Sequence, residues 1–284
     1  MSVLVQGSES WKQWRRNKIG SSDAAILMGV GFITPYQLWT EKTYGIEREV
    51  NHAMQRGTLL EPIAREWFIK ETGIVVEPDV LIHPQYDFII ASLDGINREK
   101  KVLVEIKCPG DKIYKMAIDG KIPDYYFPQI QHQLAVTGYE SALYVCFSGE
   151  SGVIIEVKRD DDYIVKLLDI EKKFYKCLVD FEEPPLTEKD FVDMSENPSW
   201  ASMAAQWREI NAQMKEMKDK EEKIRKELIQ MTNKQPAKGA GIKINSYLRK
   251  GAIDYSRLCS EFGINAEKYR GHAIECWKIQ EQKG

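Results

Sequence analysis

The sequence predicts an α/β protein, a β-sheet with helices packed on it, followed by a helical stretch and a small α+β extension. Three observations lead there. Two β-rich runs, Asp87 to Ser92 and Lys101 to Cys108, stand close enough to form a hairpin. Segments of helical period and capping chemistry surround them. Near the end of the chain, apolar residues step by four and three from Met203 to Met231.

Taken in order, the first signal is Trp11, Arg15 and then Ile19-Gly20-Ser21-Ser22-Asp23, an arginine followed by a tight turn and a helix start. Ser21, Ser22 and Asp23 can each cap that helix, and the backbone N–H groups that follow form a natural anion site. Arg56-Gly57-Thr58-Leu59-Leu60-Glu61-Pro62 is read as opening an amphipathic helix that runs to about Thr72, with Glu61 in its first turn. Asp87 to Ser92 is apolar and partly β-branched, and Asp94-Gly95 supplies a turn that should stop it. Lys101 to Cys108 is a second strand, ended by Pro109, which has no N–H for a ladder. Side chains alternate along a strand, so Val102, Val104 and Ile106 share one face while Leu103, Glu105 and Lys107 share the other. Tyr126, Gln129 and Gln133 then fall on one helical face.

Asp94, Glu105 and Lys107 converging on one point would be costly without a reason, because two carboxylates repel and a buried charge needs a partner. A divalent cation supplies the reason. Mg²⁺ takes oxygen ligands and is commonly held by one or two carboxylates plus water and phosphate oxygens. Asp94 and Glu105 would be the ligands, with the Ile106 carbonyl beside them, and Lys107 would face the attacking water or a phosphoryl oxygen. Gln129 and Gln133 could orient a lysine or a water without competing for metal. Each feature alone has a plainer explanation: an ion pair on a solvated hairpin, a capping serine, a glutamate facing a helix dipole. Their joint occurrence favours a site.

In these motifs and their order the chain resembles the YqaJ-type viral recombinases, the lambda exonuclease-like branch of the PD-(D/E)xK nucleases, from about Trp11 to Gly138. The resemblance implies a restriction-endonuclease-like core with a mixed central sheet flanked by helices. It also implies Mg²⁺ dependence, with Mn²⁺ as a substitute, and 5′-to-3′ digestion of one strand of linear double-stranded DNA. Asp94 and Glu105 resemble the metal ligands, Lys107 the catalytic lysine, and Glu61 a helix glutamate bordering the metal. Arg15 and Ser22 match residues that hold the 5′-phosphate, Ser92 a contact to the DNA backbone, and Tyr126 and Gln129 supporting positions. Leu93 departs from the family pattern, which has proline before the aspartate. A phage or prophage origin, a single-strand annealing partner and a homotrimeric ring are further implications.

Composition sets the bounds. A chain of 284 residues, 43% of them apolar, can bury a large core. Five scattered cysteines without metal spacing suggest free thiols in a reducing cytoplasm. No secretory signal is evident, and no apolar run approaches the roughly 18 residues of a membrane span. The net charge is −3, but unevenly spread: residues 201–284 hold 17 basic against 11 acidic side chains, the first 200 hold 23 against 32.

The domain boundary is expected near residue 190, after Glu182-Glu183-Pro184-Pro185, giving a nuclease core over 1–190 and an extension over 191–284. In the extension, Met203, Trp207, Ile210, Met214, Met217, Ile224, Leu228 and Met231 form a heptad seam interrupted by Glu221. Asn233 to Gly241 reads as a flexible break, Gly241 to Gly251 as a strand and Ala273 to Ile279 as another. Two further functional classes remain: a structure-specific endonuclease or junction resolvase, which has no use for a terminal-phosphate pocket, and a non-catalytic DNA-binding protein, which needs no Asp-Glu-Lys set.

Overall fold

A computed structural model describes residues 9–46, 52–264 and 276–280. The chain divides after Val192 into two compact units. The first runs through α1 (Glu9–Arg16), β1 (Ile19–Gly20), α2 (Ser21–Leu27), α3 (Pro35–Tyr44), α4 (His52–Thr72), β2 (Glu77–Ile82) and β3 (Ile89–Asn97). It continues through β4 (Val102–Lys107), α5 (Asp111–Ile118), α6 (Phe127–Thr137), β5 (Ser141–Phe147), β6 (Gly152–Lys158) and α7 (Asp161–Asp180), with a 3₁₀ turn at Glu188–Asp190.

The strands form one mixed six-stranded sheet in the order β1-β3-β4-β5-β6, with β2 also paired to β3. The β1–β3 and β4–β5 pairs are parallel and the rest antiparallel. Helices cover both faces. Leu93, Leu103 and Tyr144 pack with Ile130 and Leu134 of α6, whereas Val104, Ile106 and Val145 pack with Ala64 and Phe68 of α4. The alternation of β4 is therefore what the sequence predicts, apolar to α4 on one side and Leu103, Glu105 and Lys107 toward α6 on the other.

Register exposes a fork in the sheet. Ile90 pairs with both Gly20 of β1 and Ile82 of β2, and Ile96 pairs with both Glu77 of β2 and Leu103 of β4. Hence β2 occupies one edge of β3, while β1 and β4 share the other, β1 at residues 89–90 and β4 at 95–97. Between them no strand among the described residues pairs with that edge, and side chains satisfy its carbonyls instead. His132 Nε2 bonds Ile90 O at 2.9 Å, Gln133 Nε2 reaches Ser92 O at 3.5 Å, and Arg65 Nε donates to Asp94 O at 2.6 Å.

Three local expectations are corrected. Asp94-Gly95 does not end the strand: β3 continues to Asn97, and the pair forms a β-bulge, because three steps along β3 (Leu93 to Ile96) oppose two along β2 (Glu77 to Asp79). Gly95 serves close approach, since a Cβ there would stand 2.8 Å from Val76 Cγ2. The helix expected from Arg56 begins at His52, so Gly57 and Pro62 lie inside it and Glu61 is well past the first turn. Burial of Ala64 and Phe68, both 0% exposed, carries the helix through these weak formers. The cap of α2 is Gly20 and not Ser21, Ser22 or Asp23. Asp23 sits at the third helical position and its Oδ2 accepts the Gly20 N–H at 2.9 Å.

The second unit contains α8 (Pro198–Met231), β7 (Ala237–Gly239), β8 (Ile242–Ile244) and α9 (Tyr255–Phe262). The heptad run is one 34-residue helix with no buried residue, and Glu216 pairs with Lys220 at 2.6 Å on its surface. The expected break at 233–241 holds β7, because Ala240 and Gly241, at φ 46° and 79°, make a tight two-residue hairpin to β8. The strand expected over 241–251 stops at Ile244. Most of the strand expected over 273–279 lies outside the described residues, and 276–280 form no regular element. The helix α9, capped by Asp254 on Arg257 N at 3.0 Å, has no counterpart in the sequence reading.

Candidate active site

At the fork, β3 and β4 part beyond Gly95 and Val104, and the Asp94 side chain replaces the lost ladder bond: its Oδ2 accepts the Ile106 N–H at 2.8 Å. The bulge thereby aims Asp94 at the end of β4. There Glu105 is 1% exposed, with both carboxylate oxygens engaged. Its Oε1 accepts from Gln129 Nε2 at 2.5 Å and from the Lys107 ammonium, and its Oε2 accepts from Gln133 Nε2 at 2.5 Å. The Lys107 ammonium also lies 5.3 Å from the centre of the Tyr126 ring. Glu61, from α4, pairs with Arg65 at 2.5 Å, and Arg65 holds the Asp94 carbonyl.

Of these groups, Glu61, Asp94, Ile106, Lys107 and Tyr126 line a cleft of about 510 Å³. Its electrostatics follow from crowding. Burial, then the facing Glu105, push the Asp94 carboxyl well above the usual carboxylate range. Burial would lower Lys107, but the Glu105 and Asp94 carboxylates outweigh it and raise the ammonium above its ordinary value. Lys107 is thus a standing cation. Burial pushes the Tyr126 phenol up to about 12, so it stays neutral, and the Cys108 thiol beside it up to about 11.

The donor set suits a hard divalent cation. Two facing carboxylates, Asp94 and Glu105, beside the Ile106 backbone, offer oxygen and no sulfur or imidazole. Among the described residues no group of three or more His, Cys, Asp or Glu side chains converges as a complete cage.

Arg15 and Ser22 line a neighbouring cleft of about 430 Å³ with Lys42 and Met54. Arg15 Nη2 donates to Ser22 Oγ at 2.7 Å, and its guanidinium lies 5.1 Å from the centre of the Trp11 ring. Gly20 lets Arg15 lie close, since a Cβ there would be 3.0 Å from Nη2. Lys42 bonds Asp23 at 2.8 Å. Burial would raise Asp23, but Lys42 and Arg15 hold its carboxyl below the usual range. Met54 borders this cleft and Gly57 and Glu61 the other, so the first turns of α4 separate the two.

Of the sequence candidates, Asp94, Glu105, Ile106, Lys107, Gln129, Tyr126 and Glu61 come together in one cluster, and Arg15 and Ser22 meet in the second cleft. Ser92 borders neither; it is half-buried in β3, paired with Val80. Sequence reasoning missed Arg65, whose spacing of four from Glu61 on a helix was the available signal. It also missed His132 and the Lys42–Asp23 pair, for which no local signal exists. The bulge gives a stability test. Gly95→Ala should cost about 1–3 kcal/mol by overpacking against the buried Val76, read as a lowered urea midpoint. An unchanged midpoint would mean that the bulge has room for a methyl group.

A mixed sheet flanked by helices, with paired carboxylates and a lysine where two strands diverge, places the first unit in the PD-(D/E)xK-like class of folds. More narrowly, residues 10–140 match the model of the YqaJ-like viral recombinase domain. The YqaJ protein of Bacillus subtilis (strain 168) is 34% identical over 185 residues, 61% of this chain and 58% of that protein. Protein D345L of African swine fever virus (isolate Tick/Malawi/Lil 20-1/1983) is 28% identical over 163 residues, 46% of each. The chain thus spans about half the length of the curated relatives it matches. Among solved structures, the alkaline exonuclease LHK-Exo of Laribacter hongkongensis superposes with a TM-score of 0.53 at 29% identity, covering 62% of this chain and 94% of that one. The same enzyme in complex with dAMP gives 0.54 at 28% identity.

Proposed function

We propose that this protein is a Mg²⁺-dependent exonuclease that degrades one strand of linear double-stranded DNA from its 5′-phosphorylated end, in phage-type recombination. The observation that carries this reading is the meeting of Asp94, Glu105 and Lys107 at the fork, next to a separate Arg15–Ser22 cleft. The likeness to an alkaline exonuclease supports it. Asp94 and Glu105, with the Ile106 carbonyl and Glu61 at the border, would hold the cation, and Mn²⁺ would substitute. Such an ion lowers the pKa of bound water and neutralises charge on the phosphoryl group. Lys107 supplies fixed positive charge where a phosphoryl oxygen gains negative charge. Gln129 and Gln133 hold Glu105 in one orientation, and the Tyr126 ring keeps the lysine head in place. Arg15, presenting a fork of donors, fits a terminal phosphate, and Ser22 adds a hydroxyl. Ser92 would approach the DNA backbone only if the duplex reaches the open edge of β3.

The test is a comparison of linear and covalently closed duplex, with Mg²⁺ and with EDTA. Linear DNA should be degraded only with the metal, and closed DNA spared. Cutting of closed DNA or of a four-way junction would point to an endonuclease, and binding without cutting to a non-catalytic protein. A second expected result is faster digestion of 5′-phosphate than of 5′-hydroxyl ends, with Arg15→Ala erasing most of the difference. Wild-type enzyme that treats both ends alike would show that the second cleft is not a phosphate site.

An end-directed nuclease gains processivity if its subunits encircle the duplex, and we include a closed homotrimer in the proposal. Light scattering should then give a mass near three times 32.8 kDa. A single-strand annealing protein would be the natural recipient of the strand left behind, and a bacterial host cytoplasm its setting. No described helix is long and apolar enough to cross a membrane.

A further inference from the structure

The cleft that holds Asp94 has two chemically different ends. Glu61, Asp94 and Lys107 make the polar end, whereas Phe32, Tyr125 and Tyr126 form an aromatic wall. Phe32 is 87% exposed. A phenylalanine left in water forgoes about 1.5–3 kcal/mol of burial, so its position calls for an explanation.

The ring is held there by its neighbours in sequence. Gly31 lies against α2 so tightly that a Cβ would stand 2.7 Å from the Ile26 Cα. Ile33 packs into the cluster around Trp39 and Leu38, and Thr34 caps α3 by accepting the Gln37 N–H at 3.1 Å. The segment is pinned on both sides of Phe32 while the ring itself is outside the core. The Phe32 ring meets that of Tyr125, at 5.1 Å between centroids. Tyr125 meets Tyr126 edge-on at 4.5 Å, and Tyr126 faces the Lys107 ammonium. An aromatic ladder thus leads from the reacting end of the cleft to an open π-face.

We propose that Phe32, backed by Tyr125, is a stacking platform for a nucleobase of the strand whose phosphodiester lies at Asp94 and Lys107. The proposal rests on the nuclease reading of the same cleft and deepens it. A nucleotide is charged at its phosphate and flat and weakly polar at its base, matching the two ends of a cleft whose volume is in the usual range for a bound small molecule. Aromatic stacking accepts all four bases, as an enzyme that moves along any sequence requires.

The test separates the ring from the chemistry. Full-length Lys107→Ala protein, which should bind without cutting, is titrated with a 5′-phosphorylated duplex carrying either a base or an abasic residue at the terminal nucleotide. Losing the ring in Phe32→Ala should weaken binding of the base-bearing duplex roughly tenfold and leave the abasic duplex unchanged. Phe32→Trp should restore the difference, and Phe32→Leu should not. A terminal 2-aminopurine should be quenched on binding to protein that retains Phe32 and not on binding to the Phe32→Ala variant, while an internal one is unaffected. Equal losses on both duplexes, or quenching that survives the truncation, overturn the platform. A wild-type enzyme that fails to hydrolyse DNA with Mg²⁺ overturns the nuclease reading instead, and the quenching still reports on the ring. Phe32 is on the surface, so an unaltered urea midpoint is expected for its variants.

Discussion

Lys107→Ala is expected to lower the rate of phosphodiester hydrolysis by about 10²-fold or more, the usual cost of losing one preorganised charge at a reacting centre. DNA affinity should change little by comparison, and the urea midpoint should fall less than for loss of a fully buried ion-pair partner, because Gln129 and Gln133 still hold the two oxygens of Glu105. The experiment is single-turnover digestion of linear duplex at saturating enzyme, with binding measured in parallel. Turnover within tenfold of wild type would remove Lys107 from the chemistry. Because the Glu105 and Asp94 carboxylates hold the ammonium above its ordinary pKa, the side chain is a cation throughout neutral pH. It can stabilise charge or give up a proton, but it is a poor base at the start of the reaction.

The largest effect on stability is expected at His132, in α6. Its ring is fully buried between the Ile90 carbonyl, 2.9 Å from Nε2, and Glu171 of α7, 2.6 Å from Nδ1. A carbonyl can only accept, and so can Glu171 when ionised; in that state both ring nitrogens carry protons and the ring is an imidazolium. Removing it in His132→Ala leaves Glu171 buried without a counter-charge and frees a carbonyl on the open edge of β3. The expected cost is about 3–5 kcal/mol. Burial would lower the pKa of His132, but the Glu171 carboxylate more than reverses this and raises it. The pair's contribution is therefore complete below the unfolded value of about 6.5 and is lost as pH rises through the higher folded value. Urea melts from pH 5 to 9 should show wild type converging toward the variant as pH rises. A gap that stays constant across that range would mean a neutral ring.

Much of the site was legible because period-2 alternation and helical spacing are local rules. Glu105 and Lys107 had to share a face, and Gln129 and Gln133 had to share another; the structure brings the two faces together around one carboxylate. The seam from Met203 to Met231 likewise emerged as one helix. Errors arose where a local signal had two meanings. Asp94-Gly95 looks like a turn in sequence and is a bulge in the sheet, because a glycine serves close packing as well as a reversed backbone. Gly57 and Pro62 look like a helix start and lie inside α4.

What the sequence by itself determined is the existence of β3, β4 and the helices α2, α4 and α6, and the pairing of faces on β4 and α6 that puts Glu105 and Lys107 on one side and Gln129 and Gln133 on another. Only the tertiary structure decided that β1 and β4 share one edge of β3. That fork re-aims Asp94, and it draws Arg65, His132 and Gln133 to carbonyls 29, 42 and 41 residues away. Only the tertiary structure, too, sets Phe32 and Tyr125 at the mouth of the same cleft. The physical reason is that strand register and the satisfaction of an open backbone edge are settled by packing among distant segments. Local periodicity carries no information about either.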